Sequence, residues 1–459
     1  VSGAILIRDA RHWRTGERLD VLLEGRIHAV VPAGSIDPNE TAWGVVHDLL
    51  RDGVLERPGI PEILEAHGAV LAPGLVDLHV HLREPGQSAK ETIASGTRAA
   101  AAGGFTSVAC MPNTDPVVDS AAWIEWVLNR ARDAGNCRVH PIGALTLGQK
   151  GETLAPALAM KSAGAVALSD DGHPVSSAAM MRRALEYAGP TGLPIVCHEE
   201  DLSLRGEGHM NEGPVATRLG LRGIPSAAES IMVRRDVELA ALTGGRVHLA
   251  HLSCAESLEG LRDAKRRGLA VTGETCPHYW MLTEEAVGDY DTSAKMNPPL
   301  RSARDRDAVI AAIADGTVDC FVTDHAPHTA EEKRQPFDQA PFGISGLETA
   351  LALTLTGLVE PGHLSLERAL ELWTDAPRRV FGLPEVALEA GSIADLVLID
   401  PAAEWTVDPE RFHSQGRNTP FAGWPLKGRV LATICDGVVT HRDPALRVQR
   451  TVSREYELR

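Results

Sequence analysis

The sequence predicts an α/β protein: a (β/α)8 barrel of the TIM type, with a small β domain that the two chain ends build together. Three observations lead there. Between Pro73 and Leu383, eight short apolar runs alternate with helix-like stretches. Strand-like runs recur near both ends of the chain, too few at either end to close a core alone. The unusual polar residues fall, one cluster after another, where the central runs end.

Taken in order, the chain opens with Ala4-Ile-Leu-Ile-Arg8, Asp20-Val-Leu-Leu-Glu24 and Gly25-Arg-Ile-His-Ala-Val-Val31, which read as strands separated by polar turns. The texture changes between Asn39 and Ala66, where Trp43-Gly-Val-Val-His-Asp-Leu-Leu-Arg51 precedes Pro58 and Pro61, and this segment reads as a helical insertion. The eight central runs are 75–82, 106–111, 138–145, 165–169, 194–198, 246–252, 270–275 and 318–323. Segments between them, such as Glu91–Ala102, Ala121–Ala134 and Ala227–Leu242, carry alanine, leucine and charge at helical spacing. A helical crossover makes successive strands parallel, as a barrel requires. An open doubly wound sheet is the alternative, but no Gly-x-Gly-x-x-Gly follows an early strand to support it. Strands return in Ala394-Asp-Leu-Val-Leu-Ile-Asp400, Trp405-Thr-Val407 and the run from Arg429 to Thr440. Residues 1–72 and 384–459 are therefore expected to form the small β domain, and 73–383 the barrel.

The formal charge of −17 argues against nucleic-acid binding and against an anionic membrane surface. It leaves room for a small anionic substrate, because a few arginines in a cleft dominate the local field. The seven cysteines, at 110, 137, 197, 254, 276, 320 and 435, include no Cys-x-x-Cys pair, and their odd number fits no closed disulfide framework. They read as small buried hydrophobes in a reducing cytoplasm. No apolar run approaches the ~20 residues that span a bilayer, and no basic-then-apolar signal segment is expected at the start.

The polar clusters carry the chemistry. Along Leu75-Val-Asp-Leu-His-Val-His-Leu-Arg-Glu-Pro-Gly86, alternation puts Asp77, His79, His81 and Arg83 on one strand face. Later runs end in Met111-Pro-Asn113, Ser169-Asp-Asp-Gly172, Cys197-His-Glu-Glu200, Ala250-His-Leu-Ser253 and Thr323-Asp-His-Ala-Pro-His328, while the seventh leads on to Lys295-Met-Asn-Pro-Pro299. These are C-terminal strand ends, the face on which barrel enzymes build active sites. A single aspartate at a strand end is most often a helix N-cap, and a single histidine such as His140, His173, His209 or His248 a satisfied core or surface residue. Four histidines and two aspartates at five strand ends match instead the ligand set of one or two divalent cations, imidazole and carboxylate without thiolate.

His79-Val-His-Leu-Arg-Glu-Pro-Gly86, Met111-Pro-Asn-Thr114, Asp170-Asp-Gly172, Lys295-Met-Asn-Pro-Pro-Leu-Arg301 and Thr323-Asp-His-Ala-Pro-His-Thr329 together resemble the bacterial type I dihydroorotases, a branch of the amidohydrolase superfamily. The resemblance runs from about Ala72 onward. It implies a metal-dependent barrel, with a small β-sandwich made from both chain ends, that interconverts dihydroorotate and N-carbamoyl-L-aspartate in pyrimidine biosynthesis. Carried over by position, it implies that His79 and His81 bind the first metal with Asp324, and that His198 and His251 bind the second. Asp171 would bridge them where many relatives use a carboxylated lysine; the nearest upstream lysine is Lys161. Asp170 would face away and support the loop. His81, Arg83, Asn113, Asn297 and His328 match substrate-contacting positions, with the backbone at Phe342 and Gly343 closing over the ring. Asp324 would serve as general acid/base, and zinc as the ion.

The resemblance further implies a homodimer and admits aspartate transcarbamoylase as a partner. Two departures stand out: the long segment from Asn39 to Ala66, and Tyr279 in Cys276-Pro-His-Tyr279, where relatives often carry a second histidine. The polar stretch from Thr329 to Phe337 reads as a lid that closes over substrate. Rival readings are a hydantoinase or allantoinase, and a catalytically silent barrel that serves the transcarbamoylase as a structural partner. Arg83 argues against the neutral hydantoin, and the full set of six ligands against the silent barrel.

Overall fold

Leu75–Val80, Phe105–Cys110, Arg138–Gly143, Ala167–Ser169, Ile195–Cys197, Val247–Leu249, Val271–Thr275 and Cys320–Phe321 pair in chain order, each parallel to the next. This computed structural model describes residues 3–36 and 62–450. A parallel bridge between Val80 and His325, with the His81 amide donating to the His325 carbonyl at 2.8 Å, joins the eighth strand to the first and closes the barrel. The crossovers are helical because each has its own start and stop. Thr92 and Ser95 form a capping box ahead of Ile93–Ala102, and Gly135, at φ 64°, ends Ala121–Ala134 in a conformation that glycine tolerates best. Outside the barrel, Trp373 wedges edge-on between Phe105 and Phe321, at ring distances of 5.4 and 5.6 Å, and donates its indole N–H to Thr354.

The chain ends meet in a nine-stranded sheet. Ile5–His12 is its pivot, antiparallel to Arg18–Glu24 and parallel to both Glu62–Glu65 and Val70–Pro73. Val70–Pro73 then hands on to Leu396–Thr406, and that strand to Pro425–Cys435. The two-residue period divides the side chains cleanly. Leu71, Leu396, Leu398 and Ile434 join Ile7, Val21 and Leu23 in the sheet's own core, while Val70, Ala72, Val397, Ile399 and Val430 pack into the barrel's core.

Two sequence readings need correction. Within the 39–66 segment, residues 39–61 lie outside the described residues, and Glu62–Glu65 is a strand rather than helix. It pairs parallel with Ile5–Arg8 on one side and antiparallel with Arg447–Arg450 on the other, so its backbone groups are engaged in the sheet. The run 75–82 pairs only to Val80. The chain then leaves the ladder, His81 bonding across to His325, and Arg83 adopts φ 63°. Asp77 and His79 thus share a strand face, whereas His81 and Arg83 reach the barrel mouth from the turn beyond it. Among the described residues, no helix is long and apolar enough to cross a membrane.

Candidate metal centre

The six side chains that were expected to act together do converge at the C-terminal mouth of the barrel. His79 points inward from the first strand, and the other five lie just past the ends of the first, fourth, fifth, sixth and eighth strands. His251 at φ 36° and Asp324 at φ 48° occupy backbone conformations that side-chain-bearing residues rarely adopt, which is where strain collects at functional sites.

Asp171 sits at the centre. Its Oδ1 lies 3.5 Å from His79 Nε2, 3.5 Å from His198 Nδ1 and 3.7 Å from His251 Nε2, and its Oδ2 lies 3.6 Å from His81 Nε2. Asp324 Oδ1 stands 3.2 Å from His81 Nε2 and 3.6 Å from His79 Nε2. Two triads result, His79/His81/Asp171 and Asp171/His198/His251, in each of which the donor atoms lie within 4.8 Å of one another. Lys161, the nearest upstream lysine, instead bonds the carbonyl of Thr191. Asp170 faces away and accepts from the amides of Leu145 and Thr146 at 2.9 and 3.0 Å, tying the loop after the third strand to the fourth.

The arrangement fits a divalent cation. His79 Nε2 is fully buried and has no hydrogen-bond partner among the described residues, although it faces two carboxylates. His198 Nδ1 and His251 Nε2 face each other at 2.9 Å. Burial alone would push the His79 imidazole down, but the charge of Asp171 3.5 Å away, with Glu274 behind, carries it well above its ordinary value. His198 is likewise raised to about 10: burial opposes the shift, and hydrogen bonds to Asp171 and Glu200 outweigh it. Burial would raise the carboxyl of Asp171, yet the histidines around it, His79 first, hold it well below the usual carboxylate range. The pocket therefore attracts positive charge, with nitrogen and oxygen donors and no thiolate among them, the set that suits zinc and its neighbours.

Above the ligands opens a cleft of about 230 Å³ whose lining includes Arg83, Asn113, Asn297, His328, Phe342 and Gly343. Arg83 is buried, its Nε donating to the Pro327 carbonyl at 3.2 Å and its Nη2 lying 3.3 Å from His328 Nε2. Burial lowers the guanidinium to about 10, against the pull of Asp324 and Asp171, so it stays cationic at neutral pH. His328 is pushed down to about 3 by burial and then by Arg83, which leaves a neutral imidazole 2.8 Å from the Phe342 carbonyl. Residue 343 must be glycine. Its φ is 145°, and a Cβ there would come within 2.5 Å of the Ala326 carbonyl oxygen. Asn113 is more than a lining residue: its Oδ1 lies 2.9 Å from His81 Nδ1, and its Nδ2 donates to Asp171 at 3.2 Å, so it fixes two ligands at once.

Sequence reasoning missed three carboxylate or guanidinium groups. Glu200 places Oε2 3.5 Å from His198 Nε2 and Oε1 3.5 Å from Arg205 Nε, and Arg205 lies over the Phe342 ring at 5.5 Å. Glu274, on the seventh strand, contacts His79 from below. Glu200 stood in the Cys197-His-Glu-Glu200 cluster and Glu274 inside a buried apolar strand; an acidic residue there has to be paired, which was the available signal.

In this structure the polar stretch after His328 is tied to its surroundings at several points. Ala330–Lys333 is a helical turn capped by Thr329 and Glu332, and the buried Lys333 ammonium donates to the carbonyls of Thr292, Pro341 and Lys295 at 2.8, 2.9 and 3.2 Å. The composition of the stretch does not reveal that this lysine turns inward.

A family model described as dihydro-orotase-like matches residues 68–257. A dihydroorotase of Anaeromyxobacter dehalogenans is 55% identical over 417 residues, covering 89% of this chain and 96% of the relative. A dihydroorotase of Desulforapulum autotrophicum is 55% identical over 400 residues, covering 87% and 93%. In fold, the chain is similar to the L-hydantoinase of Arthrobacter aurescens, with a TM-score of 0.81 at 23% identity and 97% coverage of both chains. It is similar also to a dihydropyrimidinase of Brevibacillus agri, at 0.79 and 22%, covering 97% of this chain and 96% of that one.

Proposed function

The chain belongs to the dihydroorotase family, and from that premise we propose that its barrel mouth opens and closes the ring of dihydroorotate, giving N-carbamoyl-L-aspartate in the hydrolytic direction. The observation that carries the reading is Arg83, a buried cation whose guanidinium shares a cleft with five of the six candidate metal ligands, His79 lying beneath. His79, His81 and Asp324 would hold one ion, His198 and His251 the other, and Asp171 both. Zinc is the ion this nitrogen and oxygen set favours. A divalent ion bound there supplies a Lewis acid and lowers the pKa of water to about 7.

The chain's own residues do the rest. Asp324 Oδ1, 3.2 Å from His81 Nε2, stays ionised because His81's hydrogen bond and the neighbouring imidazoles outweigh its burial. It can accept the proton of the attacking water and deliver it to the ring nitrogen as the C–N bond breaks, which turns a poor leaving group into a neutral amide. Arg83 offers a planar fork to the substrate carboxylate, held in place by Pro327 and beside His328. Asn297 and the backbone at Phe342 and Gly343 close the far wall.

Purified protein assayed in parallel on dihydroorotate and hydantoin tests the reading. Turnover of dihydroorotate should dominate, disappear on thorough chelation and return with zinc; full activity in metal-free protein, or a preference for the neutral ring, would overturn it. Arg83→Lys should retain its metal and raise KM for dihydroorotate by about tenfold or more, since a point charge cannot replace the two-pronged contact. An unchanged KM would take the arginine out of carboxylate binding.

A further inference from the structure

We propose that Glu274 is a positioning residue that ties the two halves of the metal centre together from beneath; the inference rests on the metal-binding reading above. The side chain lies on the seventh barrel strand and is fully buried. Its Oε1 lies 2.8 Å from His79 Nδ1 and accepts from the backbone N–H of His251 at 3.4 Å. Its Oε2 lies 2.8 Å from His248 Nε2, and His248 Nδ1 lies 2.8 Å from Thr272 Oγ1. One carboxylate thus meets the first, sixth and seventh strands.

The consequence follows from the tautomers. An imidazole that is to bind metal through Nε2 must carry its proton on Nδ1, and an acceptor beside Nδ1 fixes that choice together with the ring orientation. Glu274 provides the acceptor for His79, whose Nε2 is left free and facing Asp171 and Asp324. The same oxygen holds the amide of His251 at its rare φ of 36°, the backbone turn that aims His251 Nε2 at His198 Nδ1. His248, itself steadied by Thr272, occupies the second oxygen, so the carboxylate cannot rotate away. A ligand in each triad is therefore aimed by one side chain that touches neither cleft nor substrate.

An amide in the same place can accept from one side only. If its N–H₂ faces His79, the imidazole must move its proton to Nε2 and loses the lone pair that binds metal. If it faces His248, that ring can switch tautomer against Thr272, but the negative charge that strengthens His79 as a ligand is gone. Zinc affinity of the full chain, measured for each ion by competition with a chelator, should fall about 10- to 100-fold at both sites in Glu274→Gln, whereas a merely structural role would lower the thermal midpoint of the metal-free protein and leave the zinc affinity of the folded protein unchanged. Glu274→Asp, which keeps the charge, should recover part of the loss and serves also if the glutamine variant does not fold. In cobalt-substituted protein the visible d–d bands should shift in Glu274→Gln. Unchanged affinity and unchanged bands would overturn the inference, and so would a loss confined to one ion. Wild-type protein that takes up neither zinc nor cobalt would instead overturn the metal-binding reading itself.

Discussion

Replacing Asp324 with asparagine should cut turnover of dihydroorotate by about a thousandfold or more while leaving KM within a few fold, because general acid–base transfer contributes roughly 10² to 10⁴ in rate. That loss corresponds to about 4 kcal/mol of transition-state stabilisation at 1.36 kcal/mol per tenfold. The isosteric change is the informative one. The amide oxygen can still face His81 Nε2, where the carboxylate now stands at 3.2 Å, so an oxygen donor stays beside His81, but an amide neither takes the water's proton nor returns it to the leaving nitrogen. Metal content measured on the same sample separates the two roles that converge on this residue. Full metal with lost turnover assigns the proton transfer to Asp324, whereas lost metal assigns it chiefly a ligand's role. Asp324→Ala should remove both. A variant with wild-type turnover would take Asp324 out of the mechanism.

The residue's position explains why its importance was legible before its geometry was. Thr323-Asp-His-Ala-Pro-His328 ends an apolar run in a dense polar cluster, and a barrel turns such a cluster into a place on a ring. The ring was readable for the same reason: each expected ligand stands at a run's end, and strand ends converge in any closed barrel. What the pattern cannot convey is direction. His81 and Arg83 lie on the alternation of the first strand, yet the ladder stops at Val80 and both reach the cleft from an irregular turn. The pairing of Ile5–His12 with two parallel partners, Glu62–Glu65 and Val70–Pro73, joins segments far apart in the chain, and no local period encodes it. Glu200 and Glu274 escaped for a third reason. Their partners are ligands on other strands, so each looks ordinary until the barrel closes and sets His198 or His79 beside it.

Asp171 offers the sharpest test of the centre as a single unit. Its two oxygens face four imidazoles, with Oδ1 within 3.5 to 3.7 Å of His79, His198 and His251 and Oδ2 3.6 Å from His81. If that carboxylate belongs to both ions, Asp171→Ala should lower zinc content toward zero at micromolar metal and reduce turnover at least a thousandfold. Thermal stability gives a readout that does not depend on activity. An ion present at 100 times its Kd stabilises the folded state by about 2.7 kcal/mol, so zinc should raise the melting temperature of the wild type and leave that of Asp171→Ala where it was. The metal-free variant should melt below metal-free wild type, because His79 and His198 lose the buried carboxylate that pairs with them, so the zinc-dependent shift and not the absolute midpoint is the readout. The outcome that would break the argument is a variant retaining one ion at full occupancy. Asp171 would then serve a single triad, and the other pair of histidines would need a different anionic partner. Glu200 is already placed to be tested in that role, because it meets His198 on the side turned away from Asp171.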